Sequence, residues 1–379
     1  MSELTEKTLF ILGAGASVEN GRCLTKDILK VGYYMYKDLQ KRQSEWHRRQ
    51  PEGLRIITLN DWLNGLLGEE ATFREVYDFI VKFFQSKDFM QYKELDVDNL
   101  PSINVVLGIL ELATRRKSNI GTQFDCTMPP YHVKRELMKL MYYVLQCCNV
   151  RYTENKIDKI DYSHQKDNLY SKFIEKIGNS TIVTLNYDLG IDDAINESNK
   201  KLNYGIQILD SPFYTQDRKI PKNEEEILLL KMHGSFNWRF CPSCNTLWNY
   251  DYQQIPCEKP NEPTLGKGDC RNCGDFTESI IIPPSLVKSY ENIHVQQLWL
   301  RASEELRKAE KIVFIGYSMD DADIEFQYLV KQSTSLNNKL KSIIVIKPED
   351  FSAYRRFFGK DSIEEYPQTF SKFIDEMNL

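Results

Sequence analysis

This 379-residue sequence predicts an α/β fold on an open, doubly wound parallel sheet. The main observation is a series of short apolar runs: Leu9 to Leu12, Thr181 to Leu185, Ile227 to Leu230, Ser279 to Ile282, Lys311 to Ile315 and Ser342 to Ile346. They are β-branched and apolar throughout instead of alternating, as strands buried on both faces of a parallel sheet are. The second observation is what separates them. Stretches such as Val295, Leu298, Trp299, Ala302 and Leu306 keep helical spacing, so strands and helices alternate.

In order, Leu9-Phe10-Ile11-Leu12 breaks directly into Gly13-Ala14-Gly15-Ala16-Ser17. Two glycines one residue apart at a strand end let backbone N–H groups approach a phosphate. A tight turn without a ligand carries the same letters, and Val18 stands where the third glycine of a full dinucleotide fingerprint would be. Val18 to Cys23 reads as loop. Leu24, Ile28, Val31, Met35 and Leu39 then predict a helix to about Lys41, followed by a polar segment from Gln43 with a turn at Pro51-Glu52-Gly53. Three apolar stripes follow: Phe73, Val76, Tyr77, Ile80, Val81 and Phe84; Ile103, Val106, Leu107 and Leu110; and Val133, Leu137, Leu140, Met141, Val144, Leu145 and Cys148. They read as helix faces packed in a core. Lys201 to Asn223, with Pro212 and Pro221, is the most linker-like stretch. The expected division is a sheet domain from 1–41, 172–240 and 276–350, a helical insertion at 42–171, a cysteine module at 241–275 and a C-terminal helical tail at 351–379.

With 41% hydrophobic and 27% charged residues the composition is that of a globular protein. A net charge of −5 argues against direct nucleic-acid binding by bulk electrostatics. The basic clusters Lys41, Arg42, Arg48, Arg49 and Arg115, Arg116, Lys117 read as solvated helix faces. The first residues, Met-Ser-Glu-Leu-Thr-Glu-Lys, contain no signal-peptide core, and no apolar run approaches a membrane span, so a cytoplasmic protein is expected. Nine cysteines in such a chain point to metal binding or catalysis before disulfides.

In an open parallel sheet, ligands bind beyond the carboxyl ends of the strands. Those ends carry Gly13, Gly15 and Ser17, then Asn186 and Asp188, then His233, then Gly316 and Ser318. Separate runs thus end in small or polar residues able to do chemistry. His233, followed by Gly234, is a candidate general base near neutral pH, with a hydrogen-bonded structural histidine as the alternative. Cys241, Cys244, Cys270 and Cys273 form two Cys-x-x-Cys pairs, whose spacing suits one tetrahedral Zn²⁺ closed by four thiolates. Such a site has no open position and is structural. Cys257 lies between the pairs and reads as a bystander.

Together these motifs resemble the sirtuin superfamily. The resemblance rests on Gly13-Ala14-Gly15-Ala16-Ser17, on Thr184-Leu185-Asn186-Tyr187-Asp188 with leucine at the family's glutamine place, on His233-Gly234, on the four cysteines after it, and on Gly316-Tyr317-Ser318, in the family's order. It implies a Rossmann-like, sirtuin-like domain with NAD⁺ as substrate. It implies that Gly13, Ala14, Gly15 and Ser17 hold the phosphates, that Gly316 and Ser318 line the nucleotide site, and that Asp188 meets the nicotinamide end. In the same pattern Asn186 holds a water or a ribose hydroxyl, and His233 is the base.

Departures point to a branch. Gly21-Arg22-Cys23-Leu24-Thr25 replaces the deacylases' Gly-Ile-Pro-Asp-Phe-Arg, and Ile281-Ile282-Pro283-Pro284 replaces the Phe-Gly-Glu strand end that pairs with an acyl-lysine peptide. Proline has no N–H to give an added strand. With Asp320, Asp321 and Asp323 after Gly316-Tyr317-Ser318, the chain is similar to the sirtuin-like NAD⁺ hydrolases of bacterial antiphage systems. That likeness implies an NAD⁺-depleting abortive-infection effector and a homo-oligomer. It also implies a separate sensor or ATPase partner, of HerA type or Argonaute-like. The alternatives are an NAD⁺-dependent deacylase or ADP-ribosyltransferase, and a non-catalytic NAD⁺ or ADP-ribose binding subunit.

Overall fold

A computed structural model describes residues 7–48, 70–85, 94–116, 129–153, 156–161, 168–210, 225–250, 270–282 and 292–377. It divides into two compact units, Met1–Arg22 with Gln165–Leu379, and Cys23–His164. The first unit opens with β1 (Thr8–Leu12) and one helical turn, α1 (Ala14–Val18). The second carries α2 (Ile28–Arg48), α3 (Glu70–Ile80), α4 (Ile103–Arg115), α5 (Pro130–Cys147) and the hairpin β2 (Asn149–Thr153) and β3 (Lys156–Asp161). The first then resumes with α6 (Asn168–Lys176), β4 (Thr181–Thr184), α7 (Gly190–Glu197), β5 (Lys201–Asn203), β6 (Leu209–Asp210) and β7 (Glu226–Lys231). It continues through β8 (Gly234–Cys241), β9 (Thr246–Asn249), β10 (Glu278–Ile281), α8 (Ile293–Lys308), β11 (Lys311–Ile315) and α9 (Ile324–Ser335). It ends with β12 (Ser342–Lys347), α10 (Ser352–Phe358), β13 (Glu364–Pro367) and α11 (Phe370–Glu376).

The main sheet has the order β13-β12-β11-β1-β4-β7-β5. Every adjacent pair in it is parallel. β1 is buried along its whole length, with Phe10 edge-on to Phe173 of α6 at 5.1 Å. From β1 the chain builds outward through β4 and β7, then crosses to the other side for β11, β12 and β13. The order therefore reverses between β1 and β11, and a doubly wound sheet opens its crevice at such a point.

Some expectations need correction. Ser279 to Ile282 is not a strand of the parallel sheet. β10 runs antiparallel to β8 in a separate four-stranded sheet of order β10-β8-β9-β6. Glu278 and Ser279 are exposed and only the Ile280–Ile281 end is buried, so this run is half-covered instead of two-sided. The tail from 351 is not purely helical, because β13 adds a parallel edge strand to β12. Lys201–Asn203, expected as linker, is the opposite edge, paired with β7. The helical insertion includes the β2–β3 hairpin, and α2 runs past Lys41 to Arg48. The turn at Pro51-Glu52-Gly53 and the prolines Pro212 and Pro221 lie outside the described residues.

In the second unit the three stripes form buried helix faces. Phe73, Val76 and Ile80 of α3, Val106, Leu107 and Leu110 of α4, and Val133, Leu137, Leu140 and Val144 of α5 are all fully enclosed. Tyr77 donates its hydroxyl to the Leu29 carbonyl of α2 at 2.9 Å, and Ser102 caps α4 by accepting from Val105 N–H.

Candidate active site

The ends of β1 and β11 meet as two glycine turns pressed together. Gly13 N–H donates to the Ile315 carbonyl at 3.0 Å and Gly15 N–H to the Gly316 carbonyl at 2.9 Å. A Cβ on Gly15 would lie 2.7 Å from the Gly316 oxygen. Gly316 has φ +60°, and a Cβ there would sit 2.1 Å from Ala16 N. The glycines are thus needed for the approach of one backbone to another. The amides of Gly13 and Gly15, expected to face phosphate, are already spent on protein carbonyls. The chain after Gly15 does not pass at once into loop either, because Ala14–Val18 forms α1.

One turn further, Ser17 is buried in a polar cluster. Its Oγ lies 2.8 Å from the Tyr170 hydroxyl and donates to Asp188 Oδ2 at 3.3 Å. Asn186 Nδ2 donates both to Ser17 Oγ and to the Gly13 carbonyl, each at 3.0 Å. Asp188 Oδ1 accepts from Gly190 N–H at 3.0 Å, at the first turn of α7. Ser17, Asn186 and Asp188, far apart in sequence, are therefore one hydrogen-bonded group. Tyr170 of α6 carries no local signal of this role, because in sequence it sits between Leu169 and Phe173 as one more large apolar residue.

His233 follows β7 and is buried at 2% exposure. Its Nδ1 lies 3.2 Å from the Leu185 carbonyl, its Nε2 is 3.5 Å from Asp323 Oδ1, and Tyr187 stacks on the ring at 5.8 Å. Gly234, next to this ring, leaves room beside it. The room goes to β10, since a Cβ on Gly234 (φ +79°) would stand 2.1 Å from the Ile280 carbonyl oxygen. Ile282 N–H donates to the His233 carbonyl at 2.9 Å, and the Tyr187 hydroxyl donates to the Ile282 carbonyl at 3.1 Å. Pro283 and Pro284 lie outside the described residues. Burial first, and then the nearby charge of Asp323, holds the Tyr187 and Tyr317 hydroxyls well above the usual phenol range. Ser318 is exposed, one residue past the buried Tyr317.

Below this group runs a second polar chain that the motifs did not reveal. Lys231, fully buried, donates to Asp192 Oδ2 at 2.6 Å and to the Asp188 carbonyl at 2.7 Å. Asp192 Oδ1 accepts from the Tyr204 hydroxyl at 2.6 Å, and Asn237 donates to Tyr204 and to Asn249. The one sequence signal is a lysine closing the apolar run Leu228-Leu229-Leu230.

The four sulfurs of Cys241, Cys244, Cys270 and Cys273 all lie within 4.8 Å of one another, with Cys241 to Cys273 at 3.5 Å and Cys244 to Cys270 at 3.6 Å. Zn–S bonds of about 2.3 Å in a tetrahedron put sulfurs about 3.8 Å apart, so the cluster fits such an ion. Each pair is bent by a positive-φ residue, Asn245 at 56° and Gly274 at 78°. Cys257 lies outside the described residues.

Residues 180–366 match the family model described as SIR2-like domain. No curated protein matches the chain. Among solved structures, a Sir2 enzyme described in "Structural Basis for the Mechanism and Regulation of Sir2 Enzymes" is similar at 13% identity, covering 98% of this chain and 90% of that one, with a TM-score of 0.39. A Sir2 homologue in complex with NAD has 14% identity, coverage of 98% and 88%, and a TM-score of 0.37. A Sir2 structure bound to a propionylated peptide has 10% identity, coverage of 97% and 90%, and a TM-score of 0.40.

Proposed function

We propose that this chain, whose residues 180–366 match the SIR2-like domain model, is an NAD⁺ hydrolase that releases nicotinamide and ADP-ribose. The observation that carries the reading is the convergence on the β1/β11 crevice. Gly13 and Ser17, Asn186 and Asp188, and Gly316 come from the ends of three separate strands, with His233 from a fourth beside them. In the reaction, the bond from C1′ of the ribose to the nicotinamide nitrogen breaks. Nicotinamide leaves neutral, water forms the new C1′–O bond, and that water's proton is lost. The site's main task is to stabilise the cationic ribosyl centre and to place the water. Asp188 and Asn186 supply charge and orientation, and His233 is the proton acceptor.

Hydrolysis is favoured over deacylation by the end of β10. The N–H and carbonyl of Ile282 are taken up by His233 and Tyr187, where a deacylase would offer backbone to a peptide. The four cysteines hold a structural Zn²⁺ in this reading. The likeness of Gly316-Tyr317-Ser318 with Asp320, Asp321 and Asp323 to the antiphage hydrolases supports a role as the NAD⁺-depleting effector of an abortive-infection system. In that role it is a cytoplasmic homo-oligomer with a separate sensor or ATPase partner.

The test is incubation of the purified chain with NAD⁺, with and without the product of the neighbouring gene. Nicotinamide and ADP-ribose are expected without any acylated peptide, and Asn186→Ala is expected to lose the turnover while keeping its circular dichroism spectrum. Turnover only with an acceptor would make the chain a deacylase or transferase. Tight NAD⁺ binding without turnover under every partner condition would make it a binding subunit.

A further inference from the structure

The surroundings of His233 assign it a partner that the motifs do not. A carbonyl oxygen only accepts, so the Leu185 carbonyl 3.2 Å from Nδ1 fixes the hydrogen on that nitrogen. The basic nitrogen of the neutral ring is then Nε2. It faces Asp323 Oδ1, at 3.5 Å. An ionised carboxylate has no hydrogen to give, and a neutral Nε2 has none either. The contact is favourable only when one proton lies between them. Both side chains are almost wholly enclosed, at 3% and 10% exposure. Neither charge alone would be hydrated there, whereas the pair together is neutral.

Among the described residues, the groups whose contacts with the pair are resolved carry no competing charge onto it. Tyr187 stacks on the ring from the β4–α7 turn, and Tyr317 approaches Asp323 from the end of β11; both hydroxyls stay protonated at neutral pH. Asp320, the next acid acting on Tyr317, is exposed. Lys231, two residues before His233, is engaged by Asp192 and the Asp188 carbonyl, and Asp188 by Ser17 and Gly190.

We propose that Asp323 is the positioning residue of His233, its carboxylate holding a proton on Nε2 by charge across 3.5 Å, and that the ring must give up this proton before it can act as a base. This rests on the reading of His233 as proton acceptor in NAD⁺ hydrolysis. The opposite charge raises the proton affinity of the ring above that of an ordinary histidine, near 6.5. Below the raised value the ring is protonated and cannot accept from water. The acid limb of the turnover therefore lies on the alkaline side of an ordinary histidine. An asparagine at 323 carries no charge and moves that limb down.

The experiment is an NMR titration of ring-labelled histidine in the full chain, with the His233 signal identified by its loss in His233→Gln. The wild-type ring is expected to titrate about one pH unit or more above the ordinary value, and Asp323→Asn to lower its midpoint by at least about one unit, a tenfold loss of proton affinity. Asp323→Glu is expected to restore most of the shift. The acid limb of kcat/KM for NAD⁺ should move in parallel. A wild-type ring titrating at or below the ordinary value overturns the proposal whether or not the variants fold. So does an unchanged midpoint in a folded Asp323→Asn. The expected titration without NAD⁺ turnover would uphold the pair and count against the hydrolase reading instead.

Discussion

Gly316 shows how a residue can be legible in sequence for one reason and required in structure for another. Its place in Gly316-Tyr317-Ser318 suggests a nucleotide contact, and its coordinates add a mechanical demand. The φ of +60° suits glycine, and the space where a Cβ would go holds the backbone of Gly15 and Ala16. Backbone cannot swing aside as a side chain can. Gly316→Ala should therefore cost about 2–4 kcal/mol, the strain of a positive φ plus overpacking. Denaturant unfolding would show the loss, and the displaced β1/β11 turns should weaken the proposed NAD⁺ binding with it. An alanine variant of wild-type stability would mean that the two turns are not locked together. The same reasoning separates Gly15 from Ala14. Of the alternating small residues only the glycines have a neighbouring backbone in the way, which the letters alone do not reveal.

At the level of elements, the end of β7 is held by charge. Lys231 is fully buried between Asp192 of α7 and the Asp188 carbonyl, so one ammonium ties β7 to the turn that carries Asn186 and Asp188. Lys231→Met would leave Asp192 ionised and uncompensated, at a cost of about 3–5 kcal/mol. The double variant Lys231→Met with Asp192→Leu should recover much of that stability, because a buried pair replaced as a unit is often close to neutral. Urea midpoints of the three proteins would check the pattern. Equal losses for the single and double variants would deny the coupling. Elements also mark where sequence reading stops. β1, β4, β7, β11 and β12 are legible because burial on both faces leaves unbroken apolar runs. The edge strands β5 (Lys-Leu-Asn) and β13 (Glu-Glu-Tyr-Pro) are not, because one side faces solvent and polar residues are tolerated there. The run ending at Ile282 gives away its strand character but not its partner, since four residues carry no information on direction. Tyr170 joins the site only through tertiary contacts, so no local pattern marks it; Lys231 and Asp323 stand out locally, one closing an apolar run and the other following Gly316-Tyr317-Ser318, but their partners are set by the fold.

Across the first unit as a whole, the cysteine cluster and His233 stand at opposite ends of one antiparallel ribbon. β8 starts at Gly234, next to His233, and ends at Cys241. β10 follows Cys270 and Cys273 and ends where Ile282 N–H meets the His233 carbonyl. Midway, Arg239 of β8 donates to the Thr277 hydroxyl at 2.9 Å and to the Thr277 carbonyl at 2.7 Å. A metal that clamps the four sulfurs therefore fixes one end of a ribbon whose other end covers the histidine. Among the described residues, the apolar groups enclosing the cysteines are chiefly Trp248 and Tyr250, so little of their burial holds that end without an ion. Removing the metal with a strong chelator should loosen β8 and β10 before the parallel sheet, whose strands bury their own apolar faces. Hydrogen exchange is expected to rise over 234–241 and 278–282 while 8–12, 181–184 and 311–315 stay protected. Elemental analysis of the untreated protein should find about one zinc per chain, the stoichiometry of a four-thiolate site. The proposed NAD⁺ turnover should fall in step with the exchange at Ile282, because the cover over His233 loosens with the ribbon. Uniform exchange across both sheets would mean that the ion supports the unit globally. Loss of the ion with no change at Ile282 would mean that the ribbon does not carry its constraint as far as the histidine.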